Sequence, residues 1–460
     1  MKGFVIFMNK KFENFKDNIK GKKIDVLGIG ISNIPLIKLL AKEGAKVHAC
    51  DKREKEALGE VYDELSGLGV TFSLGEEYMD NLTGELIFKT PGMRFDHPKL
   101  LEAKKNGSTV TSEMELFCEF SPAKIIAITG SDGKTTTTTL ISEILKKAGK
   151  KVWLGGNIGT PLFCSLDEIE KDDTVVLELS SFQLHTMRQA LSVAVMTNIS
   201  PNHLDMHKDY QEYIDAKKNI MLYQDSDSLL VVNEDNEKTR EIGKEAKGRK
   251  LGFGWCADYD VYCDGDAIYK NGEKILAVSD IKIPGKHNIE NYMAAIAAVG
   301  DIAKRDAIVS VAREFGGVEH RIELVRTVDG VRYYNSSIDS SPNRTINTLK
   351  VFPEKVILIA GGKDKGIPYD EIGPAIVESV KTLILVGATA GKIRDALSAT
   401  DGHDAVEVFE FDEYADAVKC AKDCAKEGDV VLLSPASTSF DKFRNFEERG
   451  KLFKKLVNEL

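Results

Sequence analysis

Short apolar runs alternate with amphipathic segments in the first part of the chain. Ile24 to Leu27 and Val47 to Cys50 are largely apolar, and between them Pro35 to Lys42 repeats apolar residues at helical spacing. A strand, a helix and a second strand in this order are typical of a parallel sheet covered by helices. The pattern therefore predicts a first domain of the βαβ type, which we place at residues 1–119.

A second series of apolar runs predicts a larger central sheet, in a domain at residues 120–317. Between about residues 250 and 282 polar and apolar residues alternate, with turn signals at Asp264-Gly265 and Asn271-Gly272, so this sheet is expected to carry an antiparallel annex. Almost unbroken apolar runs are typical of strands buried on both faces. They lie at Lys124 to Thr129, Val175 to Leu179, Val193 to Asn198 and Leu229 to Asn233.

The last part of the chain repeats the same pattern and predicts a third domain at residues 318–460. Apolar runs at Val356 to Ala360, Leu383 to Val386 and Val430 to Leu433 are separated by helical patterns such as Tyr414 to Lys426. The expected fold class is therefore α/β, with Rossmann-like sheets in the first and third domains. A chain of 460 residues also exceeds what one hydrophobic core usually organises.

The amino-acid composition limits the class of protein and the kinds of binding partner that we expect. The hydrophobic fraction is 42% and the charged fraction 29%, as in globular proteins, and the sequence lacks an apolar run long enough to span a bilayer. The formal net charge of −10 argues against nucleic acid, which requires a basic surface. We therefore expect neither a membrane nor a nucleic-acid partner.

The N-terminus and the cysteines favour a cytoplasmic protein. Met1 to Met8 is apolar but short, and Lys10 and Lys11 follow it, unlike the core of a secretory signal. The seven cysteines show no paired spacing. Cys420 and Cys424 are expected to share one face of a helix rather than to bind a metal.

A glycine-rich turn follows the first predicted strand. Gly28-Ile-Gly30-Ile-Ser-Asn33, with Asp51 closing the next strand, is similar to a dinucleotide-binding fingerprint. Asn33 replaces the third glycine, and we expect it to hinder the close packing of helix on strand. The residues leave two interpretations open, a nucleotide site such as that of a dehydrogenase or a purely structural turn.

A stronger chemical signal follows the strand at residues 124–129. The apolar run leads into glycines and then into a helix rich in Thr and Leu, although Ile128 stands where the general phosphate-loop pattern has glycine. Backbone N–H groups at such a helix N-terminus bind phosphate, the lysine adds a positive charge, and the Thr135 hydroxyl can ligate Mg²⁺. The sequence therefore predicts an ATP-binding central domain whose phosphate loop is Gly130, Ser131, Asp132, Gly133, Lys134, Thr135 and Thr136.

Three further residues are candidates for the same sheet edge. Glu178 ends an apolar run and His203 follows the next one, so both are expected where parallel strands present their carboxyl ends. Each has an ordinary alternative, a solvated glutamate and a packed histidine. Lys217 lies in a lysine-rich helical segment, and its residues alone indicate a solvated face.

Taken in order, these segments resemble the Mur ligase family of ATP-dependent amino-acid ligases of peptidoglycan synthesis. Further family-like motifs are Gly155-Gly-Asn157-Ile-Gly159, Glu178 to Gln183 and His287-Asn288 to Asn291. Thr90-Pro91-Gly92 and Ser434 to Gly450 are most similar to members that add D-glutamate to UDP-N-acetylmuramoyl-L-alanine (UDP-MurNAc-L-Ala). Alternatives are another Mur-type or folylpolyglutamate-type ligase, or a non-catalytic nucleotide-binding regulator.

The resemblance implies a role for each matching position. The first domain then binds UDP rather than NAD, through Gly30, Ser32, Asp51, Lys52 and Arg53. The remaining acceptor contacts are Thr90, Pro91, Gly92, Asn157 and Ser180. ATP also contacts Asn288, Asn291 and Arg321, and D-glutamate contacts Ser340, Lys365, Ser439, Phe440 and Phe446.

The resemblance also implies two Mg²⁺ ions and a chemical mechanism. Thr135 and Glu178 serve one ion, while His203 and a Lys217 carbamylated by CO₂ serve the other. The implied catalytic residues are Lys134, Glu178, His203 and Lys217. The γ-phosphoryl group passes to the acceptor carboxylate, and the amine of D-glutamate attacks the resulting acyl phosphate. We expect the enzyme to act as a monomer.

One segment departs from the family pattern. Many members carry Asp-Ser-Lys-Ala-Thr-Asn where this chain reads Ser336-Ser-Ile338-Asp339-Ser340-Ser341. An aspartate on the ATP side and a lysine are therefore missing. We expect Asp339 to compensate for the aspartate and Ser340 to keep the hydroxyl group used for D-glutamate.

Overall fold

The computed structural model describes residues 9–201, 206–300, 302–364 and 366–460. Strands and helices alternate along the chain, which confirms the α/β class. The chain divides into two compact units. The first runs to Val278 and takes up Ile289–Val311, and the second consists of Ser279–Asn288 with Ala312–Leu460.

The first sheet of the first unit is parallel, with strand order β3-β2-β1-β4-β5. Because β2 and β4 lie on opposite sides of β1, the strand order reverses at β1 and leaves a crevice at its carboxyl end. The strands are β1 (Lys23–Leu27), β2 (Lys46–Asp51), β3 (Thr71–Leu74), β4 (Leu86–Phe88) and β5 (Thr109–Thr111). The helices are α1 (Lys10–Ile19), α2 (Asn33–Lys42), α3 (Lys55–Leu58), α4 (Glu60–Gly67), α5 (Pro98–Lys105) and α6 (Glu113–Phe120).

Asn33 does not hinder the packing of helix on strand, and this prediction was wrong. Its side chain turns inward and is 5% exposed. The amide nitrogen Nδ2 donates to Leu27 O at 3.1 Å and to Gly28 O at 2.8 Å. Asn33 therefore satisfies carbonyl groups where β1 ends and α2 begins, a role that a glycine has no side chain to perform.

The second sheet of the first unit has the order β14-β13-β12-β11-β10-β9-β6-β8-β7. Its strands are β6 (Lys124–Thr129), β7 (Val152–Gly156), β8 (Thr174–Glu178), β9 (Val193–Met196), β10 (Leu229–Asn233), β11 (Arg249–Gly254), β12 (Val261–Cys263), β13 (Ala267–Lys270) and β14 (Glu273–Ala277). β12, β13 and β14 pair antiparallel, which confirms the predicted annex and both of its turns. The following helices are α7 (Lys134–Lys147), α8 (Ser181–Leu184), α9 (Tyr210–Leu222), α10 (Glu237–Gly243), α11 (Lys286–Val299) and α12 (Arg305–Glu314), with a 3₁₀ turn at Phe163–Ser165.

The sheet of the second unit has the order β15-β16-β20-β17-β18-β19, and apart from the antiparallel pair β15–β16 it is parallel. The strands are β15 (Glu323–Val328), β16 (Val331–Asn335), β17 (Val356–Ala360), β18 (Val380–Val386), β19 (Glu407–Phe411) and β20 (Val430–Leu433). The helices are α13 (Pro342–Leu349), α14 (Ile372–Ser379), α15 (Ala390–Ser398), α16 (Tyr414–Cys424) and α17 (Phe446–Asn458). Short 3₁₀ turns lie at Val278–Asp280 and His403–Ala405.

Two predictions about individual segments can be checked directly. The Sγ atoms of Cys420 and Cys424 lie 4.0 Å apart on α16, which confirms that they share a helix face. Within the described ranges, every helix is too short or too polar to cross a membrane.

Candidate active site

The phosphate loop joins β6 to α7, and its glycines are required by close neighbours. A Cβ atom on Gly130 would lie 1.9 Å from Thr197 Oγ1. A Cβ atom on Gly133 would lie 2.4 Å from Asn291 Oδ1, and the Gly133 φ of +76° favours glycine as well. The chain therefore packs closely around the loop at the start of α7, with Thr135 and Thr136 half-buried in the first helical turn.

Hydrogen bonds from the residues that follow β9, and from α9, hold the loop in place. Ser131 N donates to Asn198 O at 2.9 Å, and Asp132 N donates to the side-chain oxygen of Asn198 at 2.9 Å. Ser131 Oγ lies 2.9 Å from Tyr213 OH, and Thr197 Oγ1 donates to Asp132 O at 2.6 Å. The loop is thus ordered by the protein itself, which reduces the entropy lost when a phosphate group binds.

Two lysines share one carbonyl oxygen of the loop. Lys134 Nζ donates to Gly130 O at 3.0 Å and to Ser131 O at 2.9 Å. Lys217 Nζ donates to Gly130 O at 2.7 Å from α9. Lys217 is 1% exposed, so the interpretation as a solvated helix face is wrong. Burial, with the nearby charge of Lys134, lowers the pKa of Lys217 well below its ordinary value.

Glu178 ends β8 beside the strand that leads into the loop. Ile128 and Glu178 are partners in the β6–β8 register. The carboxylate is 1% exposed, and Oε1 accepts from Asn157 Nδ2 at 2.8 Å. Within the described part of the chain, Oε2 is buried without a hydrogen-bond partner. The interpretation as a solvated glutamate is therefore wrong.

The unsatisfied oxygen of Glu178 fits a metal ion. A buried carboxylate oxygen without a partner is costly, and Mg²⁺ prefers oxygen ligands. Thr135 lies in the first turn of the helix that the loop begins. The other predicted ligand, His203, belongs to residues 202–205 and lies outside the described residues.

The turn after β1 is tied to the end of β2. Asp51 accepts hydrogen bonds from Ile29 N at 2.7 Å and from Arg53 N at 2.9 Å. Although burial raises the pKa of Asp51, the bonds from Arg53 and Ile29 hold it below its ordinary value. A Cβ atom on Gly28 would lie 3.4 Å from Thr90 Cβ. The structure therefore brings the turn, Asp51, Arg53 and Thr90 together at the crevice.

The remaining candidates of this unit lie on loops at the carboxyl ends of strands. Ser180 caps α8, with its side chain accepting from Gln183 N. Asn157 follows β7 and is occupied by its bond to Glu178. The other predicted residues fall into two groups. Gly30, Ser32 and Lys52 are exposed, and Pro91 and Gly92 follow β4.

In the second unit, loops at the ends of β16 and β20 carry most of the predicted D-glutamate residues. Ser439 is 2% exposed and Phe440 is 61% exposed. Phe446 begins α17, and its ring lies 6.1 Å from that of His320 in an edge-on contact. Ser340 precedes α13. Lys365 lies outside the described residues.

Asp339 takes a different role from the one expected. Its carboxylate is 5% exposed, and Oδ2 accepts from Thr348 Oγ1 and from Ser434 Oγ, both at 2.8 Å. Burial raises the pKa of Asp339. The two hydroxyl contacts make its carboxyl group an internal hydrogen-bond acceptor. The structure therefore gives Asp339 a role in joining α13 to the loop after β20 and does not support its replacing the missing ATP-side aspartate.

The predicted ATP contacts outside the phosphate loop fall in different places. Asn291 Oδ1 accepts from Thr137 Oγ1 at 3.1 Å and borders Gly133, so it lies at the phosphate loop. Asn288 and Arg321 belong to the second unit. Asn288 Nδ2 donates to Pro284 O at 2.5 Å, and Arg321 N donates to Val318 O at 2.9 Å.

Comparisons with known proteins cover almost the whole chain. Three family descriptions match it: "Mur ligase MurD-like, N-terminal domain" at residues 22–112, "Mur ligase middle domain" at 128–299 and "Mur ligase, glutamate ligase domain" at 320–437. The UDP-N-acetylmuramoylalanine-D-glutamate ligase of Ruminiclostridium cellulolyticum is 54% identical, over 98% of this chain and 100% of its own. The protein of that name from Clostridium novyi is 50% identical, with the same coverage.

The chain belongs to the Mur ligase family. Its members are ATP-dependent ligases that form amide bonds. Solved structures of the family share the fold: the UDP-N-acetylmuramate-alanine ligase of Thermotoga maritima has a TM-score of 0.58 at 19% identity and covers 95% of this chain and 99% of its own. MurF of Acinetobacter baumannii also has a TM-score of 0.58, at 14% identity, and covers 96% and 92%.

Sequence reasoning missed one residue that organises the second unit of this Mur ligase. Arg449 on α17 is fully buried and donates to Ser337 O at 2.8 Å, Ser437 O at 3.1 Å and Thr438 O at 3.2 Å. It thereby joins the loops after β16 and β20. The arginine stands inside a family-like motif, but its burial depends on carbonyl groups far away in sequence.

Proposed function

We propose that this Mur ligase adds D-glutamate to UDP-MurNAc-L-Ala in an ATP-dependent step of peptidoglycan precursor synthesis. The observation that carries the proposal is the likeness along 98% of the chain to relatives whose name states this reaction. The proposal includes a cytoplasmic monomer and a division into domains at residues 1–119, 120–317 and 318–460. It also includes the UDP, acceptor and D-glutamate roles assigned above to individual residues.

The local geometry supports phosphoryl transfer in the first unit. The ordered loop at Gly130 to Thr136 suits the triphosphate, and Lys134 can turn from the loop carbonyls to a phosphate oxygen. Glu178 and Thr135 would hold one Mg²⁺, and His203 and Lys217 the other. When bound, Mg²⁺ neutralises and aligns the two anions that must approach each other.

The acceptor carboxylate attacks the γ-phosphorus and displaces ADP, which gives an acyl phosphate. The amine of D-glutamate then adds to this carbonyl carbon, and the tetrahedral intermediate expels phosphate to leave the amide. Holding the reacting groups in place can contribute about 7–11 kcal/mol. The residues proposed to hold D-glutamate are Ser340, Lys365, Ser439, Phe440 and Phe446.

The burial of Lys217 supports its carbamylation. Its amine contacts Gly130 O and Thr129 Oγ1 and lies 4.7 Å from the centre of the Tyr213 ring. Because its pKa is lowered, the neutral amine is available to attack the carbon of CO₂ and lose a proton, which gives a carbamate. Solution NMR with ¹³C-bicarbonate should show a carbamate signal that a Lys217→Met protein lacks; its persistence in the variant would contradict this assignment.

An amino-acid screen tests the proposed function. Phosphate release is measured with ATP, Mg²⁺, UDP-MurNAc-L-Ala and each amino acid in turn. D-glutamate should support release, and omission of the acceptor should abolish it. Lys134→Ala serves as the inactive control. Release with a folate acceptor and L-glutamate, or a lack of release with every amino acid, would contradict the proposal and favour the folylpolyglutamate-type or regulatory alternative.

A further inference from the structure

Arg94 joins the loop after β4 to the start of α9. Its guanidinium group donates to both carboxylate oxygens of Glu212, at 3.1 and 2.9 Å, and to Met206 O at 2.8 Å. Glu212 lies in the first turn of α9, 118 positions further along the chain. The same guanidinium group donates to both carboxylate oxygens of Asp96, at 2.8 and 2.9 Å. Arg94 therefore fixes its own loop and the first turn of a helix that packs on the second sheet.

The geometry of this contact distinguishes it from an ordinary surface ion pair. The side chains of Arg94 and Glu212 are 30% and 14% exposed. Two parallel N–H···O bonds fix the relative orientation of a guanidinium group and a carboxylate as well as the distance between them. The bonds from Arg94 accordingly lower the pKa of Glu212 from 4.5 to about 2. A lysine has a single ammonium group and cannot reproduce this arrangement.

Glu212 also organises the entry into α9. Its Oε2 accepts a hydrogen bond from Lys208 N at 2.7 Å. Its backbone N–H group donates to the side chain of Asp209, the N-cap of the helix, at 2.8 Å. The carboxylate that Arg94 holds is thus bonded to the segment that leads into the helix. Loss of Arg94 would therefore loosen the place where α9 begins.

The same helix contacts the phosphate loop. Tyr213, the residue after Glu212, is 1% exposed, and its hydroxyl group lies 2.9 Å from Ser131 Oγ. Lys217, one turn further along α9, donates to Gly130 O at 2.7 Å. Because an α-helix is a stiff element, a shift of its first turn moves both of these contacts. The loop after β4 and the phosphate loop are therefore connected through α9.

We infer that Arg94 is a positioning residue that couples the binding of the acceptor to the binding of ATP. The inference rests on the proposed function, which places the acceptor at Thr90, Pro91 and Gly92 in the same loop as Arg94. An acceptor that orders this loop also orders the start of α9 through Arg94 and Glu212. Less conformational freedom then remains to be lost when ATP binds, and by linkage ATP strengthens acceptor binding by the same factor.

Calorimetry measures this coupling as the ratio of two acceptor Kd values, without and with a saturating, non-hydrolysable ATP analogue, both in the presence of Mg²⁺. The parent should bind UDP-MurNAc-L-Ala at least about five-fold more tightly with the analogue, and Arg94→Met should reduce this ratio to less than about two-fold. Arg94→Lys keeps the positive charge without the parallel bonds, so its ratio should also fall, and it serves as the test if Arg94→Met does not fold. Lys99→Met is the matched control, since it removes only an exposed ion pair with Asp80 and should keep the parental ratio.

A double-mutant cycle separates this role from a structural one. Glu212→Gln should reduce the ratio as far as Arg94→Met does, and the double variant should reduce it no further, because all three remove the same contact. A ratio near one in the parent, additive losses in the double variant, or a lowered Tm of Arg94→Met with the parental ratio would overturn the inference. A parent protein that binds both ligands with this coupling but does not join the acceptor to D-glutamate would instead refute the proposed function.

Discussion

Glu113 makes a pH-dependent contribution to stability that a single substitution can expose. It is the first residue of α6, is 8% exposed, and accepts a hydrogen bond from Phe163 N at 3.2 Å. Burial raises the pKa of Glu113 from 4.5 to about 7, although the bond from Phe163 opposes the change. Glu113→Gln keeps an acceptor oxygen for Phe163 and removes the titration.

The sign follows from the two pKa values. Below pH 4.5 the carboxyl group is protonated in both the folded and the unfolded chain and leaves stability unchanged. Between 4.5 and about 7 the unfolded chain releases the proton while the folded chain retains it, so stability falls as pH rises. One pKa unit corresponds to about 1.4 kcal/mol, so the loss reaches roughly 3 kcal/mol above pH 7.

The expected result is that Glu113→Gln matches the parent near pH 4.5 and is more stable by up to roughly 3 kcal/mol at pH 8. Urea unfolding, followed by tryptophan fluorescence, measures this difference in stability. The signal reports on the first unit, because Trp153 and Trp255 both belong to it. Glu119→Gln, on the exposed face of the same helix, is the matched control. An equal stability difference at both pH values would refute the reasoning.

Other substitutions test the two units separately. Gly133→Ala places a Cβ atom 2.4 Å from Asn291 Oδ1, so calorimetry should show ATP binding weakened about ten-fold or more, whereas Gly149→Ala, in open space, should not change it. Asn157→Ala removes the donor that orients Glu178, and the Mg²⁺ concentration for half-maximal activity should rise about ten-fold. Arg449→Met leaves loop carbonyls without donors and should destabilise the second unit by about 3 kcal/mol in a calorimetric scan. Unchanged values would contradict each expectation in turn.

The buried strands could be predicted closely from the sequence. The apolar runs at Lys124–Thr129, Leu229–Asn233 and Val356–Ala360 coincide with β6, β10 and β17. Central parallel strands are covered on both faces, so their boundaries coincide with the change from apolar to polar residues. The predicted helix from Tyr414 to Lys426 ends at Cys424, because a helix end depends on the local capping contacts.

The site was predictable where it depends on strand ends and less so where it depends on the hydrogen-bond partners of single buried side chains. Glu178 was placed correctly beside the loop because parallel strands present their carboxyl ends at the same edge. Asn33, Asp339 and Arg449 differ, since each side chain bonds to groups whose positions follow only from the folded chain. The neighbouring sequence therefore gives little indication of where these side chains point.

The charges around Gly130 O support the proposed carbamylation of Lys217. Two lysine amines donate to that oxygen, while Glu178 supplies one carboxylate nearby. A protonated Lys217 would add a second buried cation beside Lys134 and repel Mg²⁺. A carbamate reverses the sign at the same position and supplies oxygen ligands. The burial that makes the ammonium form unfavourable thus favours the neutral amine that the proposed reaction with CO₂ requires, and the carbamate would carry the charge that the proposed metal site requires.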